Sequence, residues 1–396
     1  MALCARRRCG GLSPLKSTFW SWKVQNAHVV VGFLVLLLVS GVWWISQVPT
    51  GPEPSRGVRH PWNRPCPGRS SKRCRGDNNA IWSIGLARIP AGQGPLAREA
   101  HIDGPVLTGG DVHDVRAVFQ ADPFLLEVGH ELYIFSEVLD ADAQEGVIGL
   151  AVSTDDGFTF HHLGIVLREP YHLSFPFVVQ EGGAWYMTVC ATAGSPHPHE
   201  VWLYSAPSPR GPWARHTKLL HDATKGHAID PVLHADGQGG WFLLAQDSGA
   251  GVERAWWAPA IVGPFRLVKT AGKPSIRQSG RLLPAPGGGL WSLHHTGTTV
   301  TAHKLSLSRT LHEYPESLEE GTIVLRPFPA APHWRFTGMH TYSALQRQDG
   351  SWLAAVDGWW DDAGLSVFKC LEAGRHSAQC QQPANPANAH QHNKKG

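Results

Sequence analysis

A pattern of short apolar runs returns five times along this chain and constrains its fold more than any single motif. Each copy is an apolar run, a polar glycine-containing turn, an aromatic residue and a second apolar run. The aromatic residues are Tyr133, Tyr186, Phe242, Trp291 and Trp352, at intervals of 53, 56, 49 and 61 residues. Repeats of this length are typical of propellers and solenoids. The five copies are Ala121–Val138, Ser174–Ala191, Ile229–Asp247, Gly280–His295 and Tyr342–Gly358.

The stretches between the copies supply further strands. The first three copies are each followed by another apolar run and then by a glycine turn with an aromatic residue; these runs are Val147–Ser153, Val201–Ala206 and Arg254–Pro259. Runs this short are typical of strands and not of helices. The chain also contains 43 glycines and 30 prolines, which favours many tight turns. The sequence therefore predicts an all-β protein, a five-bladed β-propeller over residues 80–382.

The fifth copy is incomplete, and the N-terminal part of the repeat region can complete it. After Leu365–Lys369 the chain soon reaches a polar tail. Before the first copy, Ile81–Ile89 resembles blade material, and its Ile84-Gly85-Leu86-Ala87 matches Ile148-Gly149-Leu150-Ala151. We expect this N-terminal strand to join the last blade and close the ring, which protects sheet edges that would otherwise invite aggregation.

The N-terminal region predicts a membrane anchor. Val29–Ile45 carries no charge, and five cationic residues but no acidic residue precede it. This pattern favours a single-pass type II protein with a cytoplasmic N-terminus. A cleaved signal peptide is the alternative, although the apolar stretch is long for one and begins late. A span this short fits Golgi membranes. The expected segments are a cytoplasmic basic segment (1–28), a transmembrane helix (29–48), a stem (49–79), a luminal propeller (80–382) and a disordered tail (383–396).

Charge and cysteine content narrow the function further. Residues 80–396 hold 23 Lys and Arg against 30 Asp and Glu, which argues against nucleic-acid binding. Cys66 with Cys74 and Cys370 with Cys380 are plausible pairs in an oxidising lumen, which leaves Cys190 as a buried free thiol. The histidine doublets are poor metal ligands because neighbours on a strand point to opposite faces. We therefore expect no metal site and no cofactor.

Polar residues recur where the five inner strands are predicted to begin. Because these strand ends converge on the central funnel of a propeller, we expect the residues to line one pocket, of the kind that takes a small molecule or a sugar. An alternative is that Asp122 and Asp230 only initiate the turns before Pro123 and Pro231. The candidate residues are Asp122, His172, Ser174, Asp230, Gln278, Arg281 and His340.

Several ordered stretches resemble a known family. They are ADPFLL at 121–126, IGLAVSTDDGFTF at 148–160, HLSFPFVVQEGGAWYM at 172–187 and SIRQSGR at 275–281. They resemble the five-bladed furanosidase propellers of glycoside hydrolase family 43. They are more similar to the N-terminal propeller domain of plant glucosamine inositolphosphorylceramide transferases. That resemblance implies a Golgi protein that takes part in glycosylating a sphingolipid. In the plant family, transfer is attributed to a separate C-terminal glycosyltransferase domain, so here a glycosyltransferase partner is expected.

The hydrolase pattern can be compared residue by residue. The resemblance to family 43 places a base at Asp122, a pKa-modulating carboxylate at Asp230 and a glutamic acid at the start of blade four. The sequence there reads Arg277-Gln278-Ser279-Gly280-Arg281, and no glutamate lies between Glu253 and Glu313. Losing a general acid costs about 10²–10⁴ in rate. Arg281 and Arg277 instead suggest recognition of an anion such as phosphate or carboxylate. A salt bridge from Arg281 to Asp230 or Asp122 is the structural alternative.

Two classes of function remain open from the sequence. The first is an enzyme acting on a sugar, with Asp122 and Asp230 as catalytic carboxylates. The second is a non-catalytic propeller that binds a glycan or a transferase partner. The missing acid at blade four favours the second class over a family 43-like hydrolase. In the first class, the residues expected to bind substrate are His172, Ser174, Gln278, Arg281 and His340.

Overall fold

The computed structural model describes most of the repeat region. The described residues are 81–96, 101–191, 195–196, 199–220, 226–270, 277–296, 298–307, 312–313, 322–325 and 338–360. The chain divides into two compact units, residues 1–59 and 60–396, and all described residues lie in the second. The predicted anchor, stem and tail, and the cysteines assigned to disulfides, lie outside the described residues. In the part of the chain that is described, no helix has the length and apolar character needed to cross a membrane.

The described residues form five antiparallel sheets, as the fivefold repeat predicts. The N-terminal strands are β1 (Ile81–Ile89) and β2 (His101–Leu107), followed by a 3-10 turn at Gly109–Asp111. Blade one contains β3 (Ala117–Val128), β4 (Glu131–Asp140), β5 (Glu145–Ser153) and β6 (His161–Leu167). Blade two contains β7 (Leu173–Glu181), β8 (Ala184–Ala191), β9 (Val201–Ala206) and β10 (Ala214–Leu220).

Blades three, four and five follow along the chain. Blade three contains β11 (Ala228–Ala235), β12 (Trp241–Asp247), β13 (Val252–Ala258) and β14 (Arg266–Thr270). Blade four contains β15 (Arg277–Gln278), β16 (Leu283–Pro284), β17 (Leu290–His295), β18 (Val300–Leu307), β19 (His312–Glu313) and β20 (Thr322–Leu325). Blade five contains β21 (Tyr342–Gln346) and β22 (Trp352–Trp360), completed by β1 and β2. The all-β, five-bladed propeller is thereby confirmed.

Ring closure by the N-terminal strands is also confirmed. β1 pairs with β22 along its whole length, from Ile81 opposite Trp360 to Ile89 opposite Trp352. The order in this sheet is β2-β1-β22-β21, so β1 holds the third position that β5 holds in blade one. This equivalence explains why the sequences around Ile84 and Ile148 match. Ile84 is fully buried, and it belongs to a core cluster that contains residues of blades one and five.

Aromatic side chains join neighbouring blades. The Phe135 ring on β4 meets the Trp213 ring edge-on at 5.7 Å, and Trp213 follows the glycine turn of the outer hairpin in blade two. Phe124 on β3 meets Phe175 on β7 at 4.9 Å with the same edge-on geometry. Such pairs add to the free energy gained by burying apolar area. Because each blade is covered on both faces, β4 is buried from Leu132 to Asp140, including its polar residues Ser136, Glu137 and Asp140.

The first three inner strands share a bulge that positions the candidate carboxylates. Asp122, Phe175 and Asp230 have φ angles of 50°, 52° and 53°, and each precedes a proline. The strand registers shift at the same places. Proline has no N–H to give to the ladder, and a bulge absorbs the unpaired residue while re-aiming a side chain. The repeat pattern predicts Asp122 and Asp230 just before the strands; they lie inside them. Phe175, and not Ser174, occupies the equivalent position in blade two.

Candidate functional site

Asp122 on β3 lies where blades one, two and five meet. Its Oδ2 accepts a hydrogen bond from the Phe175 backbone N–H at 3.2 Å. Its Oδ1 accepts one from the Thr341 hydroxyl at 2.9 Å, and the Nδ1 atom of His340 is 3.6 Å away from the same oxygen. The Asp122 side chain is only 8% exposed. Asp122 and His340 therefore lie close together, as predicted, and the bulge at Asp122 positions its side chain there.

Asp357 on β22 organises this part of the site. The carboxylate is fully buried. Its Oδ1 accepts the backbone N–H groups of His340, at 3.0 Å, and Thr341, at 2.8 Å. Its Oδ2 accepts the backbone N–H of Asp122 at 3.0 Å and lies 2.6 Å from His340 Nδ1. One carboxylate thus fixes the backbone of two blades and the orientation of one imidazole ring.

Asp230 on β11 forms the other half of the site with Arg277 on β15. The fully buried carboxylate accepts Arg277 Nε at 2.7 Å and Arg277 Nη2 at 3.0 Å, a bidentate arrangement. His295 on β17 has its Nε2 atom 4.0 Å from Asp230 Oδ2, and its ring centre is 5.2 Å from that of His340. Contacts therefore run continuously from Asp122 to Arg277. We call this set the funnel cluster: Asp122, Asp230, Arg277, His295, His340 and Asp357.

The environment sets the protonation of the funnel cluster. Burial raises the pKa of Asp122 to about 7, although His340 opposes this change. Burial lowers the pKa of His340, but the Asp357 and Asp122 carboxylates outweigh it and raise the value to about 8. Burial, together with the nearby His340 and Arg277 cations, holds the pKa of His295 well below its ordinary value. At neutral pH the funnel cluster thus contains a cationic His340 beside a neutral His295.

Two predicted site residues lie away from this cluster. Gln278 is 1% exposed, and its amide nitrogen donates to Glu253 at 2.8 Å and to Ser292 at 3.2 Å, inside the interface of blades three and four. Ser174 is 6% exposed and pairs with Cys190 across β7 and β8. Both side chains are thus largely enclosed by the fold, and their contact with a substrate stays a prediction.

His172 lies beside the cluster, just before β7. Its Nε2 atom is 3.2 Å from Glu137 Oε1, and its Nδ1 atom accepts the Gly146 backbone N–H at 2.9 Å. Glu137 in turn influences Asp122, because its negative charge adds to the raised pKa of that carboxyl group. A substrate contact by His172 stays a prediction.

Arg281 lies deeper along the inner strands than the funnel cluster. Its Nη2 atom reaches the carbonyl oxygens of Leu125, at 3.3 Å, and Val178, at 3.4 Å. Each lies three residues beyond a bulge residue, or about 10 Å further along its strand. The guanidinium also lies over the Phe124 and Phe177 rings, and burial lowers its pKa to about 10. Arg281 forms no salt bridge with Asp230 or Asp122 within the described ranges; Arg277 pairs with Asp230 instead.

The same geometry bears on metal binding. Asp122, His340 and Asp357 each offer a ligand atom, and these atoms lie within 4.8 Å of one another. However, the two oxygens of Asp357 already face four donors: three backbone N–H groups and the His340 ring. A cation would have to displace these donors or bind beside them. The donor set therefore fits an ion-paired imidazolium better than a metal ion.

Sequence reasoning missed Asp357 and gave His295 no role. Asp357 follows the apolar run Leu353–Val356 inside β22, and a single acid within an otherwise apolar strand was the available signal. His295 belongs to a doublet whose members point to opposite faces, as the strand geometry predicts. His295 faces Asp230, whereas His294 faces Glu253, with its Nε2 atom 3.1 Å from Oε2. Trp82 on β1 was also missed, and its ring stacks on His340 at 3.8 Å.

Comparison with known proteins places the chain in a family. The sequence profile described as glucosamine inositolphosphorylceramide transferase 1, N-terminal, matches residues 74–359. The chain belongs to this family. Within it, the chain is 28% identical over 327 residues to glucosamine inositolphosphorylceramide transferase 1 of Oryza sativa subsp. japonica, covering 75% of this chain and 42% of that protein. The Arabidopsis thaliana protein of the same name is 28% identical over 323 residues, 73% of this chain and 40% of that protein.

This member of the glucosamine inositolphosphorylceramide transferase family therefore spans less than half the length of the relatives it matches. Its fold is similar to solved glycoside hydrolases. A family 117 glycoside hydrolase from Zobellia galactanivorans has a TM-score of 0.41 and 15% identity, covering 70% of this chain and 90% of that one. The native arabinanase of Bacillus subtilis has a TM-score of 0.46 and 16% identity, covering 60% and 93%.

Proposed function

We propose that the funnel cluster binds the polyol phosphate headgroup of a glycolipid, and that the chain takes part in the glycosylation of inositolphosphorylceramide. The names of the relatives support the lipid class. The observation that carries the proposal is the state of Arg277. Two of its three nitrogens bind Asp230, its side chain is 42% exposed, and no described residue forms a hydrogen bond with Nη1. Arg277 is thus a fixed cation with a donor left over.

The ion pair with Asp230 holds the Arg277 guanidinium in one position before an anion binds. A charge held in place loses little side-chain entropy when a phosphate binds, and a spare guanidinium N–H suits a phosphate oxygen. Burial of Asp230 keeps that carboxylate from competing with the ligand for the outer face of Arg277. This assigns to Arg277 the anion-binding role that sequence reasoning gave mainly to Arg281.

The rest of the funnel cluster suits a hydroxyl-rich ring. Asp122 offers carboxyl oxygens that accept hydrogen bonds from hydroxyls, and His340 adds a second cation near Arg277. The Trp82 ring lies parallel to His340 within 25° and supplies an apolar surface beside these polar groups. A small number of polar groups next to an aromatic surface is typical of sites that orient a small polar ligand.

Calorimetric titration of the full chain in detergent with glycerophosphoinositol, a soluble inositol phosphodiester, tests the proposal. We expect saturable binding that Arg277→Lys weakens about tenfold or more, because lysine keeps the charge beside Asp230 but loses the spare planar donor. Arg266→Lys on the outer strand β14 is the matched control and should bind as the wild type does. Binding that depends on Arg281→Lys but not on Arg277→Lys would refute the assignment.

We further propose that the chain is a single-pass type II Golgi protein with a luminal propeller that works beside a glycosyltransferase. The uncharged stretch Val29–Ile45 and the basic residues before it support an anchored chain. Protease treatment of sealed Golgi vesicles tests the orientation. The C-terminal tail should be protected until detergent is added, and its digestion in intact vesicles would reverse the proposed topology.

A further inference from the structure

The imidazole of His340 is held by one of its two nitrogens. Nδ1 lies 2.6 Å from Asp357 Oδ2, and Asp357 Oδ1 binds the backbone N–H of His340 itself at 3.0 Å. The carboxylate is fully buried and therefore cannot turn away into solvent. A carboxylate that binds one ring nitrogen fixes both the tautomer and the orientation of the ring. Trp82, stacked at 3.8 Å, restrains the ring plane further.

The other nitrogen of His340 is accessible to solvent. No described residue forms a hydrogen bond with Nε2. Nε2 is also not one of the buried side-chain atoms without a partner, so it is accessible to solvent. The side chain is 16% exposed, so solvent reaches part of the ring. An imidazole that is anchored at Nδ1 and open at Nε2 has the arrangement needed to pass a proton to a ligand.

Charged groups from four strands determine whether that nitrogen carries a proton. Asp357 on β22 and Asp122 on β3 favour the imidazolium, whereas burial and Arg277 on β15 oppose it. His295 on β17 is neutral because its own pKa is depressed, so it adds little repulsion. The carboxylates prevail and raise the pKa of His340 to about 8. Near neutral pH, Nε2 therefore presents an N–H to the funnel.

We propose that His340 is a proton donor for the cleavage of a glycosidic bond in a ligand held at the funnel cluster, with Asp357 as its positioning residue. The inference rests on the proposed function for the location of the ligand. The Nε2 proton passes to the bridging oxygen while the bond from this oxygen to the anomeric carbon breaks, so the oxygen leaves as a neutral hydroxyl. A water molecule forms the new bond to the anomeric carbon and releases its proton to solvent. A proton from solvent then returns to Nε2, because Nδ1 keeps the proton that it donates to Asp357.

This assignment supplies the acid that the sequence lacks at blade four. The hydrolase pattern expects a glutamic acid near Arg277, and blade four instead contributes an arginine and the neutral His295. The proton donor comes from blade five, in the segment that leads into β21. An imidazolium beside a buried carboxylate can act as the general acid in place of a protonated carboxylic acid, because both keep a transferable proton at neutral pH.

A leaving-group comparison tests the donor role in the full chain in detergent. The probes are benzyl and 2,4-dinitrophenyl glycosides of glucosamine and N-acetylglucosamine, as both anomers. Dinitrophenolate leaves without a proton, whereas benzyl alcohol needs one. We expect His340→Gln to slow benzyl glycoside cleavage by about 10²–10⁴ and dinitrophenyl glycoside cleavage far less. His216→Gln on the outer strand β10 is the matched control, since His216 hydrogen-bonds Ser205 and meets the Tyr186 ring edge-on, both in blade two.

The positioning role of Asp357 has its own readout. Asp357→Asn should lower the pKa of the His340 ring, observed by NMR titration of ¹⁵N-histidine, and move the alkaline limb of the pH–rate profile down with it. An unchanged His340 pKa would overturn this role. Melting temperatures of each variant show whether the fold survives.

The remaining outcomes separate this inference from the proposed function. If the wild type binds glycerophosphoinositol but cleaves none of the glycosides, the proton-donor proposal is wrong and the binding function stands. If His340→Gln slows both leaving groups equally, His340 acts in binding and not as a proton donor. If neither binding nor cleavage occurs, both proposals fail.

Discussion

Replacing Asp122 by asparagine should stabilise the protein above neutral pH. The increase in the pKa of Asp122 from 3.8 to about 7 makes its ionisation about 4 kcal/mol less favourable in the folded protein than in the unfolded chain. Because the folded value is the higher one, the contribution of protonated Asp122 to stability is complete below pH 3.8 and is lost as the pH rises to 7. Asparagine stays neutral and avoids that loss.

The structure indicates that asparagine fits this position. Its amide oxygen can accept the Phe175 N–H and its amide nitrogen can donate to the Thr341 hydroxyl, so both hydrogen bonds of Asp122 survive. Asparagine also tolerates the φ of 50° about as well as aspartate does. Part of the gain is offset because the Thr341 hydroxyl, which donates to Asp122, must turn to accept from the asparagine amide. We therefore expect a net gain of about 2 kcal/mol at pH 8 and none near pH 4.

Urea unfolding of the full chain in detergent, followed by tryptophan fluorescence at pH 4, 6 and 8, measures this difference. Asp155→Asn is the control with the opposite sign. Hydrogen bonds from Thr159 and Ser153 lower the pKa of Asp155 to about 2, so its loss should destabilise the protein above pH 4. A variant Asp122→Asn that is less stable than the wild type at pH 8 would refute the reasoning. It would mean that the ionised Asp122 stabilises the fold through His340.

Three further outcomes follow from the same contacts. Arg277→Met should lower the free energy of unfolding by about 2–3 kcal/mol, measured in urea, because it leaves the buried Asp230 carboxylate without its partner. Adding Asp230→Asn should restore part of that loss. An Arg277→Met variant as stable as the wild type would contradict this. Ile84→Ala should cost about 2–5 kcal/mol if β1 is an integral strand of blade five, and a smaller loss would argue against the ring closure. Burial raises the pKa of the Cys190 thiol, so mass spectrometry should find it unmodified by maleimide at pH 8 until urea unfolds the protein.

The fold was largely predictable because the repeat is a local pattern. The strand Ile81–Ile89 was predicted with the same bounds that the structure has, since it resembles the blade sequence around Ile148 and ends at a proline. Its assignment to the last blade followed from counting strands across repeats. Burial of Cys190 as a free thiol also followed from the apolar run around it, and it is confirmed. These features depend on residues that are close in sequence or equivalent between repeats.

The funnel cluster was only partly predictable because it depends on long-range contacts. Asp122, Asp230 and His340 were found from their places in the repeat. Which arginine pairs with Asp230 depends on the chain path between β15 and β16, where the two arginines are four residues apart in sequence but reach different depths of the propeller. The role of Asp357 depends in part on Asp122, which lies 235 positions away in sequence, and no local pattern reveals that contact.

A crystal structure of the full chain with glycerophosphoinositol would test the central claim most directly. The account predicts a phosphate oxygen roughly 3 Å from Arg277 Nη1, with the inositol ring beside Asp122 and His340. Phosphate bound at Arg281 deeper in the propeller, or on the outer strands away from the funnel cluster, would contradict it.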